Sequence, residues 1–504
     1  MTQTATQGAS HYTVSDQAKT PFMNEPLWRG RIFSQQWTTG AGETFPVIDK
    51  ASGEVMSSLG QASPGDVRAA AKVAKSVQDS WHSTSYEAKA DIFRRAAGLI
   101  RENIDELAVW LMRETGAIRA KADVELKAAI GILSASCAMV TEPQGLLLPS
   151  NPGRMSFARR VPHGVVGVIA PFNFPLLLAI RAISPALATG NAVILKPDTQ
   201  TAVAGGVLIA RVLQEAGLPD GVFHVLPGGV DVGEAICTDP DISMVAFTGS
   251  TGAGRRVGEL CGKHLKKVSL ELGGKNSMII LDDADLDLAA SNAAFGAWLH
   301  QGQICMATGR ILAQRSIASA LVDRLVEKAR HLKAGNPMSG EVALGPIIGE
   351  RQVAHINAIV QDSVSAGATL RAGGSFEGLF YQPTVLDNVK PGMRAFEEEI
   401  FGPVASITTF DTDDEAVALA KATQYGLSAS VISRSVGRAM AIGNQLKTGL
   451  LHINDQTVHD EPHIPFGGRG QSGNGGSIGG PANWEEFTQW QWVTVKDTPP
   501  RYPF

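Results

Sequence analysis

The stretch that decides the fold is MVAFTGSTGAGRRVGEL, residues 244–260. An apolar run ends in a glycine turn and an amphipathic run follows, so this stretch predicts a strand that passes directly into a helix. The first backbone N–H groups and the dipole of such a helix form a site for a pyrophosphate. The spacing Gly249-x-x-x-x-Gly254 differs from GxGxxG, and Arg255 and Arg256 exclude a Walker A motif. By itself the glycine pattern is a weak signal, because many strand-to-helix turns use one.

The alternation of strands and helices extends outward from this stretch. Between residues 165 and 257, the apolar runs VVGVIA and AVILKP are each followed by a predicted helix, at 175–189 and 201–216 respectively. This pattern is typical of a doubly wound parallel sheet. A second alternating series, from residue 277 to about 433, predicts a second α/β domain.

Three further regions complete the organisation. Residues 63–140 predict a run of helices that opens with a capping box at Ser63 and Asp66. Residues 466–481 are too rich in glycine for regular structure and predict a loop folded closely against another element. The stretch FTQWQWVTV, residues 487–495, alternates with period two and predicts an exposed strand. Such an edge needs a partner, which a neighbouring subunit could provide.

Composition excludes several functional classes. The chain has 504 residues, 44% hydrophobic and 18% charged, and is long enough for two or three domains. A net charge of -5 gives no basic surface for nucleic acid or anionic membrane, so we expect a small-molecule substrate. Prolines and polar residues interrupt the longest apolar region, residues 165–196, so no membrane span is expected.

Cysteine usage and the N-terminus point to a cytoplasmic protein. The four cysteines are scattered, without the spacing of a zinc site or of a disulfide framework, so we expect no metal and reduced thiols. Residues 1–20 are polar, lack the apolar stretch of a signal peptide and predict a loose tail.

Three residues are candidates for catalysis, and each also has an ordinary structural interpretation. Cys305 in HQGQICMATGR is either a small buried hydrophobe or a thiol whose pKa is lowered by nearby dipoles, with Gly302 allowing close approach. Glu271 in SLELGGKN either points to solvent or lies in a cleft as a general base. Asn173 in IAPFNFP either makes a turn or donates a hydrogen bond to an oxyanion.

Taken together, the segments resemble the aldehyde dehydrogenase superfamily. PFNFP, KP at Lys196, FTGSTGAG, ELGGK, GQICMATGR, EEIFGP at 398–403 and PFGG at 465–468 follow the order of that family from about residue 25 to the end. The resemblance implies an α/β fold with a Rossmann-type cofactor domain, a second α/β catalytic domain and a small β oligomerisation extension. The implied segments are 20–145 and 162–273 for dinucleotide binding, 274–480 for catalysis, and 146–161 and 481–504 for bridging strands.

The resemblance also implies roles for the three candidates. Cys305 would be the nucleophile that forms a thiohemiacetal and then a thioester, and Glu271 would activate the water that releases the acid. Asn173 would hold the oxyanion together with the backbone N–H of Cys305. The implied cofactor residues are Ile169, Pro171, Phe172, Lys196, Thr199, Gly229, Gly249, Ser250, Gly254, Leu272, Glu399 and Phe401.

Two positions depart from the family pattern. Many members that prefer NAD carry a glutamate three residues after the lysine, whereas this chain has Thr199, preceded by Asp198. Since a missing carboxylate removes repulsion of a 2'-phosphate, we expect NAD but leave NADP open. In the glycine-rich loop many relatives read SGxGRE, and this chain reads SGNGGS, so Ser477 stands where they have a carboxylate.

Within the superfamily, several segments are similar to bacterial NAD-dependent benzaldehyde dehydrogenases of aromatic catabolism. They include HINDQ at 452–456, EPHIPFGG from Glu461 and the terminal YPF. An apolar tunnel without an obvious charged anchor would suit an aryl aldehyde but also a medium-length aliphatic one. A coenzyme A-acylating enzyme and a non-catalytic binding protein are further alternatives, and a homodimer or homotetramer is expected. The predicted pocket residues are Phe174, Leu178, Ile304, Met306 and Phe466, with Phe172 beside them.

Overall fold

The structure is a computed structural model that describes residues 22–504. The loose tail predicted for residues 1–20 lies outside the described residues. Within the described part of the chain, no helix has the length and apolar character needed to cross a membrane.

The strands form two large sheets and four small ones. In chain order they are β1 (Ile32–Ser34), β2 (Gln36–Thr38), β3 (Thr44–Ile48), β4 (Val55–Gly60), β5 (Gly145–Leu147), β6 (Met155–Pro162), β7 (Val165–Ile169), β8 (Ala192–Lys196), β9 (Phe223–Val225), β10 (Met244–Thr248), β11 (Lys267–Glu271), β12 (Asn276–Ile280), β13 (Thr308–Gln314), β14 (Thr369–Ala372), β15 (Phe376–Glu377), β16 (Phe380–Tyr381), β17 (Thr384–Asp387), β18 (Val404–Phe410), β19 (Tyr425–Gly426), β20 (Ser428–Ile432), β21 (Leu450–Ile453), β22 (Arg469–Gly470) and β23 (Thr488–Val495).

The α-helices cover the large sheets and build the N-terminal region. They are α1 (Glu25–Trp28), α2 (Pro64–His82), α3 (Tyr86–Glu102), α4 (Ile104–Thr115), α5 (Arg119–Met139), α6 (Pro175–Ala188), α7 (Leu208–Glu215), α8 (Val230–Thr238), α9 (Thr251–Lys263), α10 (Leu286–Trp298), α11 (Arg315–His331), α12 (Glu350–Ser365), α13 (Arg394–Glu397), α14 (Asp413–Lys421), α15 (Val436–Gly443) and α16 (Ala482–Phe487). The capping box predicted at Ser63 is confirmed, because its side chain and that of Asp66 each accept the other's backbone N–H.

The first large sheet has the order β11-β10-β7-β8-β9-β1-β2. Its strands β7 to β11 are parallel, and β1 and β2 extend one edge in antiparallel fashion. Strands β7 to β10 are buried on both faces, as expected for parallel strands covered by helices. The doubly wound parallel sheet predicted from the sequence is therefore confirmed.

The second large sheet has the order β14-β17-β18-β13-β12-β20-β21. All its neighbours are parallel except β14 and β17. A second α/β unit is therefore present, as predicted. The residue boundaries and the roles predicted for the three domains remain predictions.

The exposed strand predicted near the C-terminus is β23, which lies in a small antiparallel sheet of order β23-β6-β5. Trp490 and Trp492 on β23 are exposed. The strand pairs along its whole length with β6, from Thr488 opposite Pro162 to Val495 opposite Met155. The expected partner of one strand edge is thus supplied by the same chain, and among residues 22–504 no strand pairs with the other edge of β23.

The single helix predicted for residues 201–216 is wrong in its first half. A 3-10 turn at Thr199–Thr201 is followed by a π-helical segment at Val203–Val207, and α7 begins only afterwards. The buried carboxylate of Glu114 accepts the backbone N–H groups of Val203 at 3.0 Å and Ala204 at 2.6 Å. A long-range side chain therefore holds this turn in a wider helix, which local periodicity does not reveal.

Candidate active site

The carboxyl ends of the parallel strands bring several predicted cofactor residues to one edge of the first sheet. Strand β7 ends at Ile169, β8 at Lys196 and β11 at Glu271. The strand order reverses beside β7, because β8 and β9 lie on one side and β10 and β11 on the other. Ligands of open α/β sheets bind in the crevice outside the strands at such a reversal. The geometry therefore favours a nucleotide at this edge.

The turn after β10 starts α9 at this crevice. The Ser250 hydroxyl caps the helix by accepting the N–H of Ala253 at 3.4 Å. A Cβ at Gly254 would collide with the side chain of Leu272, and Gly249 likewise has no room for one. The first helical turn therefore packs directly on the strand end and presents its N–H groups where an anion binds. These residues fit the pyrophosphate of a dinucleotide.

The predicted residues for the adenine-side ribose lie beside β8. Burial lowers the pKa of Lys196, while two nearby aspartates raise it. One of them, Asp198, accepts the N–H of Gln200 at 2.9 Å and so caps the turn that begins at Thr199. Gly229 precedes the first residue of α8, at the end of the next strand connection. Lys196 and the turn at Thr199 thus lie at the same end of β8, and their contact with a ribose remains a prediction.

The residues predicted to bind the nicotinamide side of the cofactor include two aromatic rings in contact and one carboxylate. The rings of Phe172, which follows Pro171, and Phe401 make an edge contact with centroids 5.8 Å apart. Glu399 accepts the backbone N–H of Gly274 at 2.9 Å, and burial raises the pKa of Glu399 to about 7. The contacts that these residues make with a cofactor remain predictions.

The loop that carries Cys305 is held in an unusual conformation. His300 and Gln301 have φ values of 48° and 56°, which non-glycine residues rarely adopt, and Gly302 follows with 67°. A Cβ at Gly302 would collide with the carbonyl oxygen of Gly402, so the close approach predicted at this glycine is confirmed. The loop that carries Cys305 therefore packs in direct backbone contact with the EEIFGP segment.

Asn173 is joined to the same loop. Its side-chain amide is buried and donates a hydrogen bond to the carbonyl oxygen of Gln303 at 2.9 Å. The other amide hydrogen is available to a second acceptor, since a primary amide has two. Asn276 donates to the carbonyl oxygen of Cys305 at 2.8 Å and fixes the orientation of that peptide. The site thus places an amide donor beside the nucleophile loop.

The charge state of Cys305 differs from the sequence expectation. Burial, followed by nearby carboxylates, raises the pKa of the thiol to about 12. The carboxylates are Glu399, Glu271 and Asp460, and the N–H of Met306 opposes them. The expectation that local dipoles lower this pKa is wrong, because burial outweighs them. The thiol is protonated at neutral pH and needs a base to become a nucleophile.

Glu271 lies in the cleft rather than at the surface. Its side chain is buried, and neither carboxylate oxygen has a hydrogen-bond partner among the described residues. Burial raises the pKa of Glu271 well above its usual value, Arg181 lowers it, and Glu486 raises it further. The interpretation that this carboxylate points to solvent is therefore wrong. An unpaired carboxylate with a raised pKa is the form expected of a general base.

Comparison with known proteins identifies the family. A model described as the aldehyde dehydrogenase family matches residues 37–493. The chain belongs to the aldehyde dehydrogenase family.

Similar proteins support this assignment. A benzaldehyde dehydrogenase [NAD(+)] of Pseudomonas putida is 50% identical over 481 residues, which cover 95% of this chain and 99% of the relative. A vanillin dehydrogenase of Amycolatopsis sp. is 50% identical over 484 residues, 96% of this chain and 100% of the relative. The crystal structure of a betaine aldehyde dehydrogenase from Staphylococcus aureus in complex with NAD+ has a TM-score of 0.91 and 30% identity, covering 94% and 96% of the two chains.

The four cysteines of this aldehyde dehydrogenase are free thiols. Among residues 22–504, no group of three His, Cys, Asp or Glu side chains is arranged to hold a metal ion.

Most predicted pocket residues of the dehydrogenase surround Cys305. Ile304, Met306 and Phe466 are buried in one apolar cluster, with Phe174 and Cys305 packed against it. Leu178 does not belong to this cluster and is half-buried on α6. The cluster forms an apolar wall beside Cys305, and its contact with a substrate remains a prediction.

A charged pair, missed by sequence reasoning, adjoins this wall. The guanidinium of Arg181 lies 4.7 Å from the centroid of the Phe466 ring and forms an ion pair with Asp460. Arg181 is buried, and its Nε and Nη1 atoms have no partner among the described residues. The prediction of a tunnel without an obvious charged anchor is therefore wrong. The available signal was that Arg181 is the single charged residue in the α6 sequence PLLLAIRAISPALA.

A second buried pair, also missed, supports Asn173 from behind. Lys121 donates to the carbonyl oxygen of Asn173 at 2.8 Å and pairs with Glu125 at 2.5 Å. Glu125 accepts the N–H groups of Leu176 at 2.9 Å and Leu177 at 3.1 Å, at the start of α6. The pair therefore holds the PFNFP turn through hydrogen bonds to Asn173 itself and to the start of α6 that follows it.

Proposed function

We propose that the chain oxidises aromatic aldehydes of the benzaldehyde type to carboxylic acids with NAD, through a thioester on Cys305. The observation that carries this proposal is the meeting of three groups at one place. The loop of Cys305 is hydrogen-bonded to the Asn173 amide, and the unpaired Glu271 carboxylate is near enough to affect the thiol. Nucleophile, oxyanion donor and base are the set that acyl transfer through a thioester requires.

Each of the three residues has its own step in the proposed reaction. The Cys305 thiol is protonated at neutral pH and loses its proton to solvent before it reacts. The sulfur attacks the aldehyde carbon, and the Asn173 amide and the Cys305 backbone N–H hold the resulting oxyanion. A bound nicotinamide dinucleotide supplies the hydride acceptor. A thioester remains on Cys305, and Glu271 then takes a proton from the water that attacks it, which releases the acid and the thiolate.

NAD is the cofactor that we assign to this site. The Pseudomonas putida relative is named for NAD, and the Staphylococcus aureus neighbour was solved with it. The glycines at the start of α9 leave the close approach that a pyrophosphate needs. Lys196 at the end of β8 and Thr199 just after it support a ribose site at the same sheet edge. NADP stays an alternative because Thr199 presents no charge against a 2'-phosphate.

The aromatic substrate class rests on two further observations. The two relatives at 50% identity are named for benzaldehyde and vanillin, both of them aryl aldehydes. The apolar wall of Ile304, Met306 and Phe466 is contiguous with Cys305, as the flat face of an arene requires.

The test is a survey of NADH formation with benzaldehyde, substituted benzaldehydes and linear aldehydes of similar length. We expect kcat/KM to be highest for the aromatic members, with benzoate as the product and no dependence on coenzyme A. Higher kcat/KM for the linear aldehydes would identify the aliphatic alternative. Formation of benzoyl-coenzyme A in place of benzoate would identify an acylating enzyme, and absence of NADH formation a non-catalytic protein.

Assembly and location complete the proposal. We propose a homodimer or homotetramer, because the free edge of β23 carries the exposed Trp490 and Trp492. Size-exclusion chromatography with light scattering tests this directly. We place the enzyme in the cytoplasm, because its mechanism needs a reduced thiol and its four cysteines are free.

A further inference from the structure

We propose that Glu486 accepts the proton that Glu271 removes from the hydrolytic water and delivers it to solvent beside Lys267. This inference rests on the proposed function, because it concerns the water that cleaves the thioester. It assigns a role to a buried carboxylate of α16, an element that no catalytic motif covers.

A polar row leads away from Glu271 along strand β11. Side chains two residues apart on a strand lie on the same face, so Lys267, Ser269 and Glu271 share one face of β11. The opposite face carries Val268 and Leu270, which pack into the apolar core of the first sheet. Lys267 is partly exposed, whereas Ser269 and Glu271 are buried. The row therefore runs from the buried base toward solvent.

Glu486 lies alongside this row. Its side chain is buried, and one carboxylate oxygen is 3.7 Å from the ammonium of Lys267. The other oxygen, Oε1, has no hydrogen-bond partner among the described residues, and neither has the hydroxyl of Ser269. A Cβ at Gly476 would be 3.0 Å from that hydroxyl and 3.3 Å from Glu486 Oε1, so both atoms border one small space. Two unpaired polar atoms there can pass a proton, directly or through a water.

The groups around Glu486 suit proton transfer at neutral pH. Burial raises the pKa of Glu486, while Lys267 and the nearby hydroxyl of Ser269 lower it. The ring of His163 contacts the Glu486 carbonyl oxygen, but burial and Lys267 lower the pKa of His163 to about 4, so it is neutral. The neighbouring Glu485 points outward to Arg160. Lys267 and Glu271 are thus the charged groups that face the Glu486 carboxylate.

The glycine-rich loop beside Glu271 offers no carboxylate as an acceptor. The glycine-rich loop, residues 466–481, pairs with the edge of β11 through a hydrogen bond from Leu272 N–H to the Ser472 carbonyl oxygen at 2.9 Å. Its sequence, FGGRGQSGNGGSIGGP, contains no aspartate or glutamate. A proton on Glu271 therefore has an acidic acceptor in α16 and none in the loop that covers it.

The step balances without any further reactant. Glu271 takes one proton from water, the hydroxide oxygen bonds to the thioester carbon, and the carbon–sulfur bond breaks to release the acid and the Cys305 thiolate. The proton on Glu271 passes to Glu486 and then to bulk water near Lys267. Glu271 is again a carboxylate, and no electrons are exchanged in these transfers.

The test compares Glu486→Gln with Glu485→Gln, an exposed neighbour on the same helix, as the matched control. Glu486→Gln should keep a burst of about one NADH per subunit with benzaldehyde and lower the steady-state rate about tenfold or more. Imidazole at millimolar concentration should restore part of that rate, because a diffusible base replaces the missing one. The control should keep the rate of the unmodified enzyme, and Ser269→Ala should slow the same step.

Several results would overturn the inference. A Glu486→Gln enzyme with unchanged steady-state rate and pH profile means that Glu486 moves no proton. A slow variant that imidazole does not restore, with a lowered melting temperature, means that Glu486 is only structural. Loss of the NADH burst would mean that Glu486 acts before the thioester forms. Failure of the proposed function is distinguishable, because the unmodified enzyme would then not oxidise benzaldehyde at all.

Discussion

The buried pair behind Asn173 gives a prediction whose magnitude follows from the structure. Lys121 and Glu125 are 1% and 0% exposed, and removal of one partner from a buried ion pair costs about 3–5 kcal/mol. In Lys121→Met, Glu125 still accepts two N–H groups from the start of α6, which partly compensate its charge. We therefore expect the lower end of that range, about 3 kcal/mol. Lys127→Met, at an exposed position of the same helix, is the control.

Urea-induced loss of activity and fluorescence measures this effect. A loss of about 3 kcal/mol should shift the midpoint of Lys121→Met by roughly 1 M relative to the control. Adding Glu125→Gln should recover about half of the shift, because the amide keeps its acceptor oxygen and removes the stranded charge. The turnover of Lys121→Met should fall by less than the roughly 100-fold typical of a deleted oxyanion donor, since Asn173 is displaced but present. A midpoint within about 0.3 M of the control, or no recovery in the double variant, would refute the reasoning.

The other predictions concern the reacting groups and the cofactor. Cys305→Ala should abolish aldehyde oxidation while NAD still binds, as titration calorimetry would show, and substantial turnover would exclude the covalent route. Glu271→Gln should give a burst of about one NADH per subunit followed by a slow phase, because the glutamine amide keeps the side-chain shape but cannot act as a base. Loss of the burst would mean that Glu271 acts earlier, in activating Cys305. Since the Cys305 pKa is about 12, inactivation of the free enzyme by iodoacetamide should rise about tenfold per pH unit between roughly pH 7 and 10, and a plateau near pH 8 would contradict this. Thr199→Glu should lower kcat/KM for NADP about tenfold more than kcat/KM for NAD. If the ratio of these two values is unchanged, Thr199 does not face the ribose.

Local sequence patterns were sufficient for the main elements of the fold. Apolar runs bounded by glycine and proline predicted β7, β8 and β10, and the glycine turn at Gly249 predicted the start of α9. They could not decide where Glu271 points, because a carboxylate at a strand end is compatible with either face. That choice depends on the distant glycine-rich loop, which pairs with the strand edge beside it through Gly473.

The missed residues of the site share one physical property. Arg181 and Lys121 each lie on a helix, where a cation ordinarily faces water. Their burial depends on partners far along the chain: Asp460 is 279 residues from Arg181, and the Asn173 carbonyl is 52 residues from Lys121. Helical periodicity carries no information about such partners, so only the three-dimensional structure reveals them.

The pairing of β6 with β23 has a consequence for the synthesis of the protein. Arg159 on β6 bonds to Gln491 on β23, 332 residues later in the chain. At about 5–20 residues per second, a ribosome needs roughly 17–66 s to make that partner. Throughout this interval β6 has only the short strand β5 to pair with and presents one open edge. Arg159 and Arg160 lie on β6, and charges on an unpaired strand keep it from joining the wrong chain.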